Sequence, residues 1–162
     1  MQTRAKISRA CLKTLQPRSK TERSTIAAMP GHPISHEDTS AFMDSYRWAK
    51  RPLIVLAPGS DAALVRAQRV ALGQDKHELL TRDMVWIEVL GNDVTINGIP
   101  VAGVRAEDLR RRYAIAKKDS RVLLVGKDGG VKLRRTGPIS ADELFATIDA
   151  MPMRRREIKT VD

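Results

Sequence analysis

The apolar positions of the chain form runs and stripes that predict alternating strands and helices from residue 51 onward. Leu53–Ala57 is an unbroken apolar run closed by Pro58-Gly59, which is typical of a strand buried on both faces. A helix toward Leu80, weakened at Gly73, is predicted by helically spaced apolar residues, namely Leu64, Ala67, Val70 and Ala71. A second buried run, Val85–Leu90, follows. Strand, helix and strand in this order predict a right-handed parallel crossover.

Two short turns indicate hairpins. Asn97-Gly98 lies between the two β-prone halves of Val94–Val101, and this dipeptide is the strongest short hairpin signal. Further along, only a few residues separate the β-prone runs Val122–Val125 and Val131–Arg135. A parallel pair would need a connection of roughly a dozen residues or more, so these runs must pair antiparallel. Asp128–Gly130 supplies the positive φ values that such a turn needs.

Lys127 lies among glycines in this turn, which raises the question of a phosphate-binding loop. A loop of the GxxxxGK[ST] type requires a strand, a glycine loop and then a helix, with Ser or Thr directly after the lysine. Here Asp128 follows Lys127, and the next apolar positions have the period of a strand. We therefore predict a turn that joins two strands.

Two further segments predict helices. In the segment RAEDLRRRYAI, Leu109 and Tyr113 share one face, while Glu107/Arg111 and Asp108/Arg112 are spaced as i,i+4 ion pairs. The segment SADELFATIDAMP opens with a capping box and then carries one apolar stripe before Pro152, where we expect the regular stretch to end. The capping pair is Ser140 with Glu143, and the stripe consists of Leu144, Ile148 and Met151.

The order of these elements predicts an α/β fold. Without the small hairpin at Val94–Val101, which we treat as an insertion, the order is βαβ followed by αββα. This is the order of a thioredoxin-like fold, with a sheet that carries helices on both faces.

Three stretches together resemble the family called domain of unknown function 4174. They are FMDSYRWAKRPLIVLAP, VLLVGKDGGVKLR and IDAMPMRRREI, and the resemblance covers about residues 41–158. The longer stretch RVLLVGKDGGVKLRRTGPISADELFATIDAM is similar to the last third of thioredoxin-like proteins. The resemblance implies a thioredoxin-like fold without an assigned activity, in a family whose members include secreted bacterial and animal extracellular-matrix proteins.

Against redox-active thioredoxins, the sequence differs in two places. Their Cys-x-x-Cys pair follows the first strand, where this chain has Pro58–Ala63, and their cis-proline precedes the third strand, where it has Lys117–Ser120. The thiolate is the nucleophile of that chemistry. We therefore expect no thiol oxidoreductase activity and no cofactor.

Residues 1–40 show neither strand nor helix periodicity, and PGHPISHEDTS has the composition of a linker. We expect a basic, poorly ordered N-terminal extension over 1–40, and a thioredoxin-like domain with a short basic tail over 41–162. His32 and His36 are four apart, but Pro33 interrupts a regular helix, so we expect solvated linker and no metal site.

The net charge of +10 is concentrated in the extension. Residues 1–28 carry seven basic residues and one acid, whereas residues 29–150 carry 18 basic and 16 acidic residues. The seven basic residues form a candidate polyanion-binding arm: Arg4, Lys6, Arg9, Lys13, Arg18, Lys20 and Arg23. Charge runs are usually only solvated, so we do not expect nucleic acid to be a physiological partner.

The compartment is only weakly indicated. Cys11 is the single cysteine, so an intramolecular disulfide and a multi-cysteine zinc site are excluded. No apolar run is long enough to span a bilayer, and no signal peptide is recognisable, which makes the cytoplasm the default expectation. One alternative is that the N-terminal segment is a transit peptide, and another is that the start codon is assigned too far upstream. Related proteins are often secreted, which speaks against the cytoplasm as the default. The sequence leaves the oligomeric state open.

The turn after the first strand is the best candidate site. Gly59, Ser60 and Asp61 lie at the carboxyl end of a central strand and at a helix N-terminus, where backbone N–H groups favour an anion. We favour the simpler interpretation, in which Ser60 or Asp61 caps the helix. Glu88 interrupts an apolar strand; it is either a buried acid with a raised pKa or, as we prefer, half of an ion pair with a neighbouring arginine.

These observations predict a binding or scaffold module without redox chemistry, with a protein as the expected partner. We expect Trp48 and Trp86 to pack, and Arg154–Arg156 to extend a solvated helix. Two alternatives stay open: a cysteine-independent enzyme with its site at the turn after the first strand, and polyanion binding through the basic arm. No residue is assigned a catalytic role.

Overall fold

The computed structural model describes residues 36–60, 62–73 and 76–161, which form a mixed six-stranded sheet covered by helices. The strands are β1 (Arg51–Ala57), β2 (Met84–Leu90), β3 (Asp93–Ile96), β4 (Ile99–Pro100), β5 (Arg121–Val125) and β6 (Val131–Arg135). The helices are α1 (His36–Asp44), α2 (Ala63–Leu72), α3 (Lys76–Thr81), α4 (Ala106–Arg112), α5 (Ala141–Asp149) and α6 (Pro152–Val161).

The strand order β4-β3-β2-β1-β5-β6 places β1 and β2 at the centre as a parallel pair, with Arg51 opposite Met84 and Ala57 opposite Leu90. All other neighbouring strands pair antiparallel. The predicted α/β class is confirmed. The core order β2-β1-β5-β6, with the β3–β4 hairpin added beside β2, is consistent with the predicted thioredoxin-like arrangement.

The apolar run of β1 is buried throughout because helices cover both faces of the sheet. Alternate residues point to opposite sides. Ile54 and Leu56 pack on one face against residues of α1 and α4, while Leu53 and Val55 pack on the other against residues of α2 and α5. The central strands therefore lie between two apolar layers.

Both predicted hairpins are confirmed. Asn97 and Gly98 have φ values of 49° and 83°, which a two-residue turn between β3 and β4 requires. In the β5–β6 turn, only Gly129 takes a positive φ, of 81°. The Lys127 ammonium there donates hydrogen bonds to Asp83 and Glu157, at 2.8 and 2.7 Å, so its charge is used within the fold.

The predicted inward face of α2 is right at Leu64 but wrong at Val70. Val70 is 80% exposed, whereas the buried positions are Leu64, Val65, Gln68 and Leu72. The helix is rotated because the Gln68 amide exchanges two hydrogen bonds, of 2.9 and 2.7 Å, with the backbone of Ile139. The predicted continuous helix toward Leu80 is also wrong, since α2 ends at Leu72 and α3 begins at Lys76.

The predictions for α4 hold in part. Leu109 and Tyr113 are buried together, and Arg111 contacts Glu107 at 3.5 Å as expected. The expected Asp108/Arg112 pair is replaced, because Arg112 reaches Asp44 of α1 at 3.0 Å while Asp108 contacts Arg111 at 3.3 Å. A partner on another helix has therefore displaced one on the same helix.

The two ends of the domain differ from the sequence interpretation. Residues 36–40 were expected to lie in a linker, but α1 begins at His36, and Thr39 is buried, with its hydroxyl 3.4 Å from Asp108. The division of the chain at residue 41 stays a prediction, since residues 1–35 lie outside the described part. Pro152 was expected to end the regular stretch; instead it begins α6, where its missing N–H costs nothing.

An ionic cluster around the buried Arg51, at the amino ends of β1 and β2, was not predicted. We call Arg51, Asp83, Lys127 and Glu157 the Arg51 cluster. Arg51 is fully buried; it donates to both Glu157 carboxylate oxygens, at 2.9 and 3.0 Å, and to the Arg82 carbonyl oxygen at 2.9 Å. The cluster therefore connects α6 to the sheet.

Among the described helices, none combines the length and apolar character needed to cross a membrane.

Candidate functional site

The connection from β1 to α2 holds the predicted site residues Gly59 and Ser60. Helix α2 begins at Ala63, and its N-cap position is occupied by Ala62, whose side chain offers no hydrogen-bond acceptor. The predicted capping role of Ser60 is therefore wrong, because the helix starts too late for its hydroxyl to act as the N-cap. Asp61 lies outside the described residues.

Glu88 forms the ion pair that we preferred, although its partner comes from helix α2. The Arg69 guanidinium donates to both carboxylate oxygens, from Nε at 2.8 Å and from Nη2 at 2.7 Å. The Thr95 hydroxyl lies 3.5 Å from the same carboxylate. Hydrogen bonds from Arg69 hold the pKa of Glu88 below its ordinary value, against the opposing effect of burial. The alternative of a raised pKa is therefore wrong.

A polar pocket of about 580 Å³ brings three of the four candidate ligand residues together. Gly59 and Ser60 form one wall, the Arg69–Glu88 pair forms another, and residues of the β2–β3 connection and β3 close it. Parallel strands place their carboxyl ends at one edge of a sheet, so residues that follow β1 and residues of β2 line the same pocket.

An apolar pocket of about 530 Å³ lies beside the polar one, and the sequence did not predict it. Arg69, Glu88 and Gly98 line both pockets. The apolar side chains of this second pocket are Leu53, Leu72, Leu79, Leu80, Met84, Val85 and Trp86. Leu80 is 72% exposed. In the sequence, the adjacent apolar pair Leu79-Leu80 was a signal for this surface.

Arg110 fixes the loop before β5 against the carboxyl ends of the parallel strands. Its guanidinium is buried and donates to the carbonyl oxygens of Ala57 and Val89 on one side, and of Ala116 and Asp119 on the other. Burial lowers the pKa of Arg110 from its ordinary value. This side chain thus holds the loop before β5 in place.

The described residues limit the chemistry of this region. No group of three or more His, Cys, Asp or Glu side chains could share a metal ion there. The buried acid Glu88 is ionised and engaged on both oxygens, so it is poorly suited to accept or deliver a proton. The seven basic residues of the candidate arm lie outside the described part of the chain, and their role stays a prediction.

Trp48 and Arg154 differ from the sequence interpretation. Trp48 was expected to pack but is 64% exposed, with a φ of 65° and the Arg47 guanidinium 5.8 Å from its ring centroid. Arg154 was expected to be solvated, but it donates to the Thr81 carbonyl oxygen at 2.8 Å and lies 3.4 Å from Asp149. Trp86 is half-buried and packs against the core, as expected.

Comparisons with known proteins place this arrangement in a family. Residues 42–157 match the family described as "Domain of unknown function (DUF4174)". The chain is 28% identical to coiled-coil domain-containing protein 80 from Danio rerio, over 72% of this chain and 16% of the relative. It is 23% identical to sushi repeat-containing protein SRPX2 from Xenopus laevis, over 80% of this chain and 29% of that protein. The chain thus spans less than a third of either relative. No solved structure matches it significantly.

Proposed function

The chain belongs to the DUF4174 family of domains of unknown function, and on this premise we propose that it is a binding module without thiol redox chemistry. Its ligand occupies the apolar pocket beside the Arg69–Glu88 pair. The observation that carries the proposal is this pocket of about 530 Å³. It is lined by apolar side chains next to Glu88, whose negative charge is already paired with Arg69.

The size and lining of the pocket support ligand binding. Small-molecule sites are typically concave, mostly apolar and about 300–1,000 Å³ in volume, with a few polar groups that orient the ligand. The lining here has this character, with Arg69, Lys76, Glu88 and Asn97 as its polar groups. Asn97 is held in place, because its side-chain oxygen accepts a hydrogen bond of 3.1 Å from the backbone N–H of Trp86.

The enzyme alternative receives less support. A general acid or base at this site needs a pKa near the working pH, and Arg69 lowers the pKa of Glu88 instead. The position after β1 holds Gly59 and Ser60 where redox-active thioredoxins carry a cysteine pair. A protein as the expected partner stays a prediction.

Tryptophan fluorescence tests the proposal, because Trp86 lines the pocket and the chain contains only one other tryptophan. In a Trp48→Phe background, the neutral dye phenylnaphthylamine should quench Trp86 by energy transfer, with saturation at one dye per chain. Leu80→Arg places a charge at the mouth of the pocket and should weaken binding about tenfold, or roughly 1.4 kcal/mol.

Val70→Arg is the matched control, since Val70 is also exposed and apolar but lies outside the pocket lining. It should leave the affinity for the dye unchanged. Absence of saturable binding, or equal losses in both variants, would contradict the proposal.

A further inference from the structure

Charged groups at the apolar pocket indicate what kind of ligand it holds. We infer that the pocket takes a small amphiphilic anion, which places a compact apolar group inside and an acid group against Arg69 and Lys76. The inference rests on the proposed function and adds the chemical class of the ligand.

Among the described residues, the charged ones in the lining are two cations, Arg69 and Lys76, and one acid, Glu88. The acid is buried and already accepts two hydrogen bonds from Arg69. It therefore presents little negative charge to a ligand. The charge left over among these described side chains is positive, which favours an acid group and disfavours an ammonium group.

Arg69 is oriented to bind a second carboxylate while it keeps the first. Its hydrogen bonds to Glu88 use Nε and one Nη2 hydrogen, so the edge formed by Nη1 and the other Nη2 hydrogen is not used by this pair. The Arg69 side chain as a whole is 52% exposed to solvent. Glu88 acts here as a positioning residue, because it fixes the plane of the guanidinium before the ligand arrives.

Lys76 supplies the second cation from the other side of the break between α2 and α3. It is exposed and begins α3, whereas Arg69 lies near the end of α2. The two cations therefore line the pocket from consecutive helices, and its apolar side chains belong to β1, α2, α3 and β2. An apolar group with one acid matches this division.

A small molecule fits the site better than an extended peptide. Peptides that bind at sheets usually add a strand to a free edge. The sheet ends near the pocket in the β3–β4 turn, and β4 consists of only Ile99 and Pro100. Proline removes a backbone donor from this edge, so strand addition is poorly supported here.

Two dyes with the same ring system test the inference: anilinonaphthalene sulfonate, which carries an acid group, and phenylnaphthylamine, which lacks it. Both are titrated into the full chain with Trp48→Phe. Lys76→Gln should weaken the sulfonate dye severalfold, and the double variant Arg69→Gln/Glu88→Gln should weaken it about tenfold. The neutral dye should change less than about twofold in either variant.

Lys118→Gln is the matched control, because Lys118 is exposed and lies outside the pocket lining but its loss changes the net charge equally. Equal effects of Lys76→Gln and Lys118→Gln on the sulfonate dye would overturn the inference, as would equal losses for the two dyes. If the neutral dye binds and the acid group confers no advantage, only the ligand class is wrong. If neither dye binds, the proposed function fails with it. Lys76→Gln removes an exposed side chain, so this test does not depend on whether the double variant folds.

Discussion

Glu157→Gln should strongly destabilise the domain, because it leaves the fully buried Arg51 without a negative partner. Arg51 donates to both oxygens of Glu157, and Lys127 donates to one of them at 2.7 Å. Glutamine keeps the size of the side chain but removes its charge. Breaking a buried ion pair costs roughly 3–5 kcal/mol.

We expect the lower end of this range, about 3 kcal/mol, because the Glu157 side chain is 27% exposed and glutamine can still accept one hydrogen bond. For a domain of this size, such a loss lowers the melting temperature by roughly 10 °C. Urea unfolding followed by circular dichroism would measure it, as a lower midpoint with an unchanged slope.

The pH dependence of stability provides an independent test of the same prediction. Burial alone would raise the pKa of Glu157, but hydrogen bonds from Arg51 and Lys127 outweigh burial and hold this pKa below its ordinary value. A carboxylate with a lowered pKa contributes stability above the unfolded pKa and loses it as the pH falls through the folded pKa. The difference between wild type and Glu157→Gln should therefore be full near neutral pH and narrow below about pH 4.

Glu107→Gln is the control, since Glu107 is 70% exposed and pairs with Arg105 and Arg111 at the surface. Exposed pairs contribute at most about 1 kcal/mol, so its effect should be small. If Glu157→Gln and Glu107→Gln shift the midpoint equally, Arg51 does not depend on Glu157 in solution. A stability difference that persists at low pH would also refute the reasoning.

Four further predictions concern the turns, the N-cap of α5, the cysteine chemistry and the basic residues of the N-terminal segment. Gly98→Ala should lower the free energy of unfolding in urea by roughly 1 kcal/mol, because the φ of 83° at Gly98 strains any side chain. Gly59→Ala is the control and should leave stability nearly unchanged, because the added methyl group would meet nothing within 4 Å. Ser140→Ala should lower stability by about 1 kcal/mol in the same assay, since it removes the N-cap of α5; no change would contradict that role. Insulin reduction by the Cys11→Ser variant should match the wild type at background turnover. Activity above background in either protein would contradict the prediction that the domain has no thiol redox chemistry. Deleting residues 1–28 should remove most of the salt dependence of any duplex DNA binding seen by fluorescence anisotropy, because that segment carries seven basic residues and one acid; an unchanged slope would place the binding charge on the domain.

Local patterns were sufficient to predict most of the elements. The apolar run at Leu53–Ala57 predicted a central strand because a strand covered on both faces must be apolar at every position. Asn97-Gly98 predicted its turn because few other residues adopt those φ values. The cap of α5 was also visible, and the Glu143 N–H donates to the Ser140 hydroxyl at 3.3 Å. Each of these features depends on residues within one short segment.

Features that depend on distant partners could not be predicted in this way. Gln68 replaces Val70 on the inward face of α2 because its amide meets the backbone of Ile139, which lies 71 positions further along the chain. Arg51 is buried because Glu157 and the Arg82 carbonyl oxygen surround it, although charged residues are usually exposed. A periodic pattern shows that a position is polar, but it does not show which residue elsewhere in the chain will be its hydrogen-bond or ion-pair partner.

The candidate site shows the same division. From the sequence, Gly59 and Ser60 were placed at the carboxyl end of a central strand, and Glu88 was expected to form an ion pair with a neighbouring arginine. The choice of Arg69 as the partner of Glu88, and the apolar pocket beside that pair, were decided only in the tertiary structure. The physical reason is that a pocket is a gap between elements: its shape depends on where α2 ends, where α3 begins and how both lie on the sheet, and no single segment of the sequence contains those three facts.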